Sequence, residues 1–329
     1  MRHQRSEVRG QKSELTTLLT RSTKRAAEFL RRGGVVAFPT ETVYGLGAAV
    51  FDDEAIRKIF SAKGRPSDNP LIAHISSRDQ IPLLASRITV SAEKFIAKFF
   101  PGPLTVVLPK NSSVPDSATA GLGTIGIRMP SLPRAHAFLR ACATPVVAPS
   151  ANRSGHPSPT TWQAVRDDLD GRIDCILQGG ASDVGLESTV VDCTGRAPVV
   201  LRAGAVTLEQ LRDVVPATRT HRARKNEPAK SPGMKHRHYA PNARVVLVET
   251  LCDSQRSPRA GFIGLRPPLL ATGFGLVALC RDIEHYAQNV FRFFRECDAA
   301  GLEIIFCETV PECGLGTALM DRLRRAAAR

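Results

Sequence analysis

The sequence predicts an α/β fold with a substantially parallel or mixed sheet, divided into a large first unit and a smaller second one. Strand patterns such as VVAFP, LIAHI and LTVVLP alternate with helical patterns along the chain. The length of 329 residues corresponds to about two ordinary domains. A Pro-rich and basic stretch at 216–242, PATRTHRARKNEPAKSPGMKHRHYAPN, has the composition of a linker and separates the two units.

The first unit is predicted over 21–215, after a basic and polar tail at 1–20. Ser22 precedes the helical pattern TKRAAEFLRR, which Gly33 and Gly34 end, and VVAFP follows as a buried strand. The later elements, in chain order, are helix EAIRKIFSAK, strand LIAHI, helix SAEKFIAKFF, strands LTVVLP and TIGIRMP, helix LPRAHAFLRAC, strand PVVAPS, helix WQAVRDDL, strands CILQ, STVVDC and PVVLR, and helix TLEQLRDVV.

The second unit is predicted over 243–329 as a smaller α/β unit. Its strand patterns are RVVLVET, GFIGL, GLVALC and IIFCET. Its helical patterns are HYAQNVFRFFRECDAAG and ALMDRLRRAAA.

The charge balance predicts an anionic partner. Lys and Arg outnumber Asp and Glu by 45 to 31, so the formal net charge is +14, which suits a nucleotide, a nucleic acid or a membrane surface. No run reaches the roughly 18 apolar residues of a membrane span, and the first residues lack the apolar core of a secretory signal. A cytosolic enzyme is therefore expected. The eight cysteines form no CxxC pair and are predicted to be buried, reduced thiols.

The common nucleotide and hydrolase motifs do not describe this chain. GLGTIG at 121–126 fits G-x-G-x-x-G, but it runs into a strand pattern, whereas a dinucleotide fingerprint opens a helix. The sequence contains no Walker-type phosphate loop, no HExxH and no G-x-S-x-G. A nucleotide would have to be bound in another way.

Two neighbouring segments carry polar groups suited to a ligand. PTETVYGLG places hydroxyl side chains directly after a buried strand, where the strand ends of a sheet commonly form a crevice; these are Thr40, Thr42 and Tyr44. KGRPSDNP then places Lys63, Arg65 and Asn69 on a Pro-bounded loop, a compact set of donors for a polyphosphate. The alternative for the first segment is an ordinary Thr-rich turn, and the second, as an isolated run, is more often a solvated face.

Further along the chain, polar residues recur at strand ends. His74 lies in the apolar run LIAHI, where a core histidine is the more common case. Arg128 lies in the strand pattern TIGIRMP, and a charge there requires a partner or a bound anion. Other side chains of this kind are Thr124, Ser150, Asn152, Ser158, Ser188, Thr189 and Arg202. The set predicts a cradle for phosphate and carboxylate rather than a nucleophile site.

Six motifs lie along the chain in the order PTETVYGLG, KGRPSDNPL, FPGPLTVVL, IGIRMP, APSANRSG and ESTVVD. Together they resemble those of the threonylcarbamoyl-AMP synthase family with its YrdC-like catalytic domain. The resemblance runs from about Arg21 to Val215. SPGMKHRHYAP and GLGTALMDRLRRAA extend it to the long, two-domain form of that family. It implies a YrdC-like twisted mixed sheet with helices, followed by a smaller Rossmann-like α/β domain.

The resemblance also implies an activity and a set of site residues. The reaction is the synthesis of threonylcarbamoyl-AMP and pyrophosphate from L-threonine, bicarbonate and ATP, for modification of the adenosine next to the anticodon of certain tRNAs. The positions that match threonine-binding residues are Thr42, His74, Arg128, Ala148 and Ser188. Those that match ATP-binding residues are Arg65, Asn69, Thr124, Ser150, Ser158, Arg202 and Tyr239. Lys63 and Arg65 are the expected catalytic residues, because their charges would offset that of the phosphates.

The implied partners are the three substrates, the downstream threonylcarbamoyl-transfer machinery and, as a further candidate, tRNA; no membrane partner is expected. Mg²⁺ is expected to arrive bound to ATP, since the motifs hold no carboxylate cluster. Tyr239, near the end of the linker, suggests a lid over the nucleotide. Two alternatives remain, a double-stranded RNA or tRNA-binding module without adenylation activity and, ranked third, a carbamoyltransferase accessory domain.

Overall fold

The structure, a computed structural model, describes residues 16–221, 239–251, 257–267 and 273–328. Two sheets organise these residues, one of eleven strands and one of four. The first is mixed and the second entirely parallel, and helices pack against both. The predicted α/β class, with a twisted mixed sheet followed by a smaller Rossmann-like unit, is confirmed.

The large sheet and its helices occupy 18–220. Its strands are β1 (Leu18–Thr20), β2 (Val36–Phe38), β3 (Gly45–Ala49), β4 (Ile72–His74), β5 (Leu104–Pro109), β6 (Thr124–Arg128), β7 (Val146–Ala148), β8 (Cys175–Leu177), β9 (Thr189–Asp192), β10 (Val199–Arg202) and β11 (Arg219–Thr220). Its helices are α1 (Thr23–Arg31), α2 (Asp53–Lys63), α3 (Ile81–Leu84), α4 (Val90–Phe99), α5 (Asp116–Thr119), α6 (Pro133–Cys142), α7 (Trp162–Leu169) and α8 (Leu208–Val214), with a 3-10 turn at Arg78–Gln80.

Strand order in the large sheet differs greatly from chain order. The strands follow one another as β1-β8-β2-β3-β7-β4-β6-β5-β9-β10-β11. The parallel register of β4 and β6 places His74 opposite Arg128, and the antiparallel register of β5 and β6 places Thr105 opposite the same arginine. Motifs that are far apart in sequence therefore meet at the centre of the sheet.

Local sequence signals explain where the helices next to these strands begin and end. Ser22 caps α1 by accepting a hydrogen bond from the Arg25 N–H at 3.3 Å. Asp52 caps α2 in the same way, accepting from Ala55 at 2.9 Å. Gly64 ends α2 in the left-handed conformation, with φ of +59°, where glycine carries no Cβ penalty. This turn starts the loop that carries Arg65.

The four-stranded sheet forms the second unit. It contains β12 (Arg244–Val248), β13 (Ala260–Gly264), β14 (Leu276–Leu279) and β15 (Ile304–Glu308), in the order β12-β15-β13-β14, with α9 (Ile283–Ala299) and α10 (Leu315–Ala327). Apolar faces of both helices pack into one core with the sheet. Arg295 of α9 and Arg322 of α10 extend from this unit to carboxylates of the first one.

Several details differ from the sequence predictions. Leu18–Thr20, placed in the tail by its polar surroundings, forms strand β1 and pairs in parallel with β8. A three-residue edge strand is too short to show periodicity, and its partner lies more than 150 residues away. The helical turns at Arg78–Gln80, Ile81–Leu84 and Asp116–Thr119 are also additions. Residues 1–15, and most of the predicted linker, 222–238, lie outside the described ranges.

The cysteine prediction is confirmed for most of the chain. Six thiols are free and buried, namely Cys142, Cys175, Cys193, Cys280, Cys297 and Cys307. Cys313 is free but exposed, and Cys252 lies outside the described residues. Within the described ranges, no helix is both long and apolar enough to cross a membrane.

Candidate active site

A polar cavity lies where the motif loops meet the centre of the large sheet. Most of the predicted site residues line it: Thr42, Arg65, His74, Arg128, Ala148, Ser150, Ser158, Ser188, Arg202 and Tyr239. Ala148 and Ser150 come from the end of β7, whereas Arg202 ends β10. The large sheet and its loops thus gather residues from Thr40 to Arg202 into one polar space.

Arg128 has a carboxylate partner inside the protein. Its Nη2 lies 2.7 Å from Glu41 Oε1, and its Nη1 donates to Thr42 Oγ1 at 2.8 Å. All three side chains are buried. Burial favours the neutral form of Glu41, but the Arg128 charge outweighs it, so the pKa of this carboxyl is lowered. Arg128 was predicted to need a partner or a bound anion. Its partner is Glu41, which belongs to the same motif as Thr42.

His74 is neutral at physiological pH. Burial, with the Arg128 charge next to it, lowers its pKa to about 3. Its Nδ1 is 3.0 Å from the Ile72 carbonyl oxygen, and its ring meets Phe38 edge-on at 5.8 Å. The histidine therefore supplies shape and a neutral polar edge to the cavity.

Ser188 is held between two strands. Arg202 donates to the Ser188 carbonyl oxygen from Nε at 3.1 Å and from Nη2 at 2.9 Å. The Ser188 hydroxyl lies 2.8 Å from Thr105 Oγ1 and accepts from Arg202 Nη2 at 3.2 Å. These bonds fix the start of β9 against β5 and leave the serine at the cavity surface.

Arg65 and Asn69 present a different situation. Both are buried, and Arg65 Nη2 makes a long contact of 3.5 Å with the Asn69 carbonyl oxygen. Among the described residues, Arg65 Nε and both side-chain amide atoms of Asn69 have no hydrogen-bond partner. Burial lowers the pKa of Arg65 to about 10, so it remains charged at neutral pH. Each unsatisfied buried group costs about 1–3 kcal/mol, which a bound polar ligand could remove.

Three predicted residues do not reach the cavity surface. Lys63 is buried behind it, where its Nζ donates to the carbonyl oxygens of Ser150 at 2.6 Å and Asn152 at 2.5 Å. Thr124 begins β6, at the opposite end of that strand from Arg128, so the strand direction carries it away. Asn69, behind Arg65, is not part of the lining either.

Tyr239 enters the lining from the second unit. Its ring stacks on Phe291 of α9 with 5.3 Å between centroids and an interplanar angle of 21°. The residue has φ of +71°, a region that costs a non-glycine residue about 1–2 kcal/mol. Packing of the ring offsets this strain. The adjacent Ala240 N–H donates to the Gly155 carbonyl oxygen at 3.0 Å.

Comparisons with known proteins agree with this arrangement. The family model Sua5_yciO_yrdC, described as "Telomere recombination", matches residues 28–204. A second model, described as "Threonylcarbamoyl-AMP synthase, C-terminal domain", matches 206–328. The chain belongs to the Sua5/YciO/YrdC family.

Members of this family resemble the chain over nearly its full length. A threonylcarbamoyl-AMP synthase of Pyrococcus abyssi is 44% identical, with 92% of this chain and 93% of the relative covered. That of Bacillus subtilis is 40% identical, with 92% of each chain covered. The crystal structure of P. abyssi Sua5 complexed with L-threonine superposes with a TM-score of 0.86 at 41% identity, covering 95% of this chain and 97% of that one.

Some cavity residues of this Sua5/YciO/YrdC member were not predicted to have a site role. Glu187 lines the cavity, and its signal was a charge just before the buried run STVVDC, which requires a partner. His156 also lines it, with Nδ1 3.2 Å from Asp168 Oδ1. Glu41, the partner of Arg128, stood unremarked between two threonines that were noted. Glu41 and Glu187 are held by arginines that are distant in sequence, Arg128 and Arg322.

Proposed function

We propose that this protein synthesises threonylcarbamoyl-AMP and pyrophosphate from L-threonine, bicarbonate and ATP. The observation that carries the proposal is that one cavity holds two buried arginines: Arg128, which lies against the Glu41 carboxylate, and Arg65, whose Nε has no hydrogen-bond partner among the described residues. The first arrangement suits a small zwitterion, and the second suits a polyphosphate. The names of the relatives, and L-threonine in the P. abyssi crystal, support the same reaction.

L-threonine would occupy the part of the cavity around Arg128. Thr42, His74 and Ser188 offer neutral polar groups there, and Ala148 leaves room for the substrate methyl group. The contact with Glu41 fixes the orientation of the Arg128 guanidinium. The substrate carboxylate would therefore bind to a group that is already in position. These assignments remain predictions.

ATP would occupy the part around Arg65. Arg65 and Arg202 would face the phosphates, with hydroxyls from Ser150 and Ser158, while the Tyr239 ring would cover the nucleotide. Asn69 would act indirectly, through the contact of its carbonyl oxygen with Arg65. Lys63 would act by holding the loop at Ser150 in place. Thr124 lies at the far end of its strand and is the weakest of the predicted contacts.

The chemistry would proceed in two steps. Bicarbonate takes up a proton and loses water to give CO₂, and the neutral amine of threonine then adds to CO₂ and releases a proton as the carbamate forms. A carbamate oxygen then attacks the α-phosphorus of ATP in line, and the bond to the departing pyrophosphate breaks. Arg65 and Arg202 would stabilise the charge that develops on the phosphates. In a preorganised site, this effect contributes about 3–4 kcal/mol for one donor.

Mg²⁺ would enter as part of the substrate, bound to ATP. Glu187 is the carboxylate among the described lining residues, and it already contacts Ser158 and Arg322. In the described part of the chain, no group of three or more His, Cys, Asp or Glu could hold a metal ion. The phosphates themselves are therefore the ligands that we expect.

The RNA-binding alternative receives no comparable support. Arg65 and Arg128 are buried, so they cannot contact a polynucleotide backbone on the surface. Transfer of the product to tRNA by a separate machinery, and a cytoplasmic location where ATP and tRNA occur, remain predictions.

The decisive experiment is incubation of the full chain with ATP, bicarbonate and labelled threonine. Pyrophosphate and threonylcarbamoyl-AMP are expected only when all three substrates are present. No product in the complete mixture, together with tight and salt-sensitive tRNA binding, would overturn the proposal in favour of the RNA-binding module.

A further inference from the structure

One side chain of the second unit reaches the wall of the cavity from behind. Arg322 of α10 is only 1% exposed. Its Nε donates to Glu187 Oε2 at 2.9 Å, and its Nη2 donates to the Ala203 carbonyl oxygen at 2.9 Å. Its Nη1 donates to Asp321 at 2.7 Å. A buried guanidinium is tolerated only with such a complete set of partners, so its position is tightly determined.

Glu187 connects Arg322 to the cavity wall. Its Oε2 accepts from Arg322, while its Oε1 accepts from the Ser158 hydroxyl at 2.6 Å. Glu187 and Ser158 both line the cavity. Burial alone would raise the pKa of Glu187, but the charges of Arg322 and Arg202 outweigh it, so the pKa is lowered and the carboxylate stays ionised.

Arg322 also holds the ring of Tyr239. Its Cζ lies 5.4 Å from the centroid of that ring, a cation–π distance, and the same ring stacks on Phe291. Since Tyr239 has a positive φ, its backbone conformation is unfavourable without such packing. Two sections of the cavity wall, at Ser158 and at Tyr239, therefore depend on one arginine.

We propose that Arg322 is a positioning residue for ATP: through Glu187 and Tyr239, it aligns the wall against which the nucleotide binds. The second unit then has a defined task, because it completes a cavity that the large sheet builds only in part. The threonine side, around Arg128, is held by contacts within the large sheet and its loops and does not require Arg322. This inference rests on the proposed function.

The test compares ATP and threonine in the full-length Arg322→Gln variant. We expect the KM for ATP in pyrophosphate release to rise at least tenfold, while the Kd for L-threonine measured without ATP stays within twofold of wild type. Arg324→Gln is the matched control, since Arg324 lies on the same helix but pairs with Glu312 in solvent. It should behave as wild type.

A double-mutant cycle with Glu187→Gln tests the route of action. If Arg322 acts through Glu187, the double variant Glu187→Gln/Arg322→Gln binds ATP no more weakly than Arg322→Gln alone. If Arg322→Gln does not fold, the double variant carries the test, because it leaves no unpaired charge at this site. It should then bind threonine normally with a KM for ATP raised at least tenfold.

Three outcomes overturn the inference. One is a wild-type KM for ATP in the variant tested. Another is an equal loss of ATP and threonine affinity, which indicates a merely structural role. The third is strict additivity in the cycle, which excludes the route through Glu187. An inactive wild-type protein would instead contradict the proposed function, so the two failures are distinguishable.

Discussion

Two clusters of buried polar residues lie at the same cavity, and they differ in the partner that each arginine has. In the Arg128 cluster, the guanidinium already contacts Glu41 and Thr42. In the Arg65 cluster, Arg65 Nε and the Asn69 amide have no partner among the described residues. In the first cluster a carboxylate compensates the buried arginine charge, although Arg128 Nη2 and the Glu41 oxygens form no hydrogen bond of good geometry among the described residues. An anionic ligand is thus expected to stabilise the second cluster more than the first, because the first already holds a carboxylate against its arginine.

The comparison predicts different consequences of mutation. Removing one partner of a buried ion pair should lower stability, because the other partner is left as an uncompensated charge. Removing a buried group that lacks partners should leave stability unchanged or raise it while abolishing binding.

The largest expected effect is on stability, in Arg128→Gln. The unpaired Glu41 carboxylate should lower the free energy of unfolding by about 3–5 kcal/mol, as measured by urea denaturation. Glu41→Gln/Arg128→Gln should recover most of this loss, since no charge is left unpaired. Equal instability of the single and double variants would show that the ion pair is not the cause.

Arg65→Ala should show the opposite behaviour. We expect the kcat/KM for ATP in pyrophosphate formation to fall about 10²–10³-fold, because a charge facing the phosphates is lost. The thermal midpoint should be no lower than that of wild type, since the buried arginine has donors without partners. Arg57→Ala, on the exposed face of α2, is the control. Near-normal turnover would remove Arg65 from the mechanism.

Lys63→Met separates two roles for this lysine. If Lys63 holds the Ser150 and Asn152 carbonyls, its loss should raise the KM for ATP about tenfold, equivalent to about 1.4 kcal/mol, with little change in kcat. Direct action on the phosphates would instead lower kcat about 10²-fold or more. Lys58→Met, an exposed position on the same helix that pairs with Glu54, is the control.

The effect that is smallest at neutral pH is a pH dependence of stability that originates at His74. Its pKa is about 3 in the folded protein and about 6.5 when unfolded, so below pH 6.5 the unfolded state binds the additional proton. Stability from this group is present above pH 6.5 and declines as the pH falls towards 3, by at most about 1.4 kcal/mol per pH unit. His74→Gln should show a shallower decline between pH 6.5 and 4.5 in denaturant titrations. An unchanged slope would contradict this assignment.

Sequence reasoning identified most of the cavity from local chemistry. Polar residues at strand ends indicated Thr42, Ser150 and Ser188, and a charge in an apolar strand marked Arg128. The same reasoning missed Glu41 and Glu187. Neither carboxylate has a motif of its own, and each is explained only by an arginine that lies more than 80 positions away. The catalytic role predicted for Lys63 stays a prediction; its contacts with the Ser150 and Asn152 carbonyl oxygens could not be foreseen, because these belong to another motif.

The sequence by itself determined the fold class, the order of most elements and the family, because hydrophobic periodicity, capping residues and motif spacing are local properties. Only the tertiary structure decided which buried charges are paired, that Leu18–Thr20 completes the sheet edge, and that Arg322 of the last helix supports the cavity wall. The physical reason is that strand order and ion pairing join residues far apart along the chain. Their free energy depends on burial and distance, which exist only once the chain has folded.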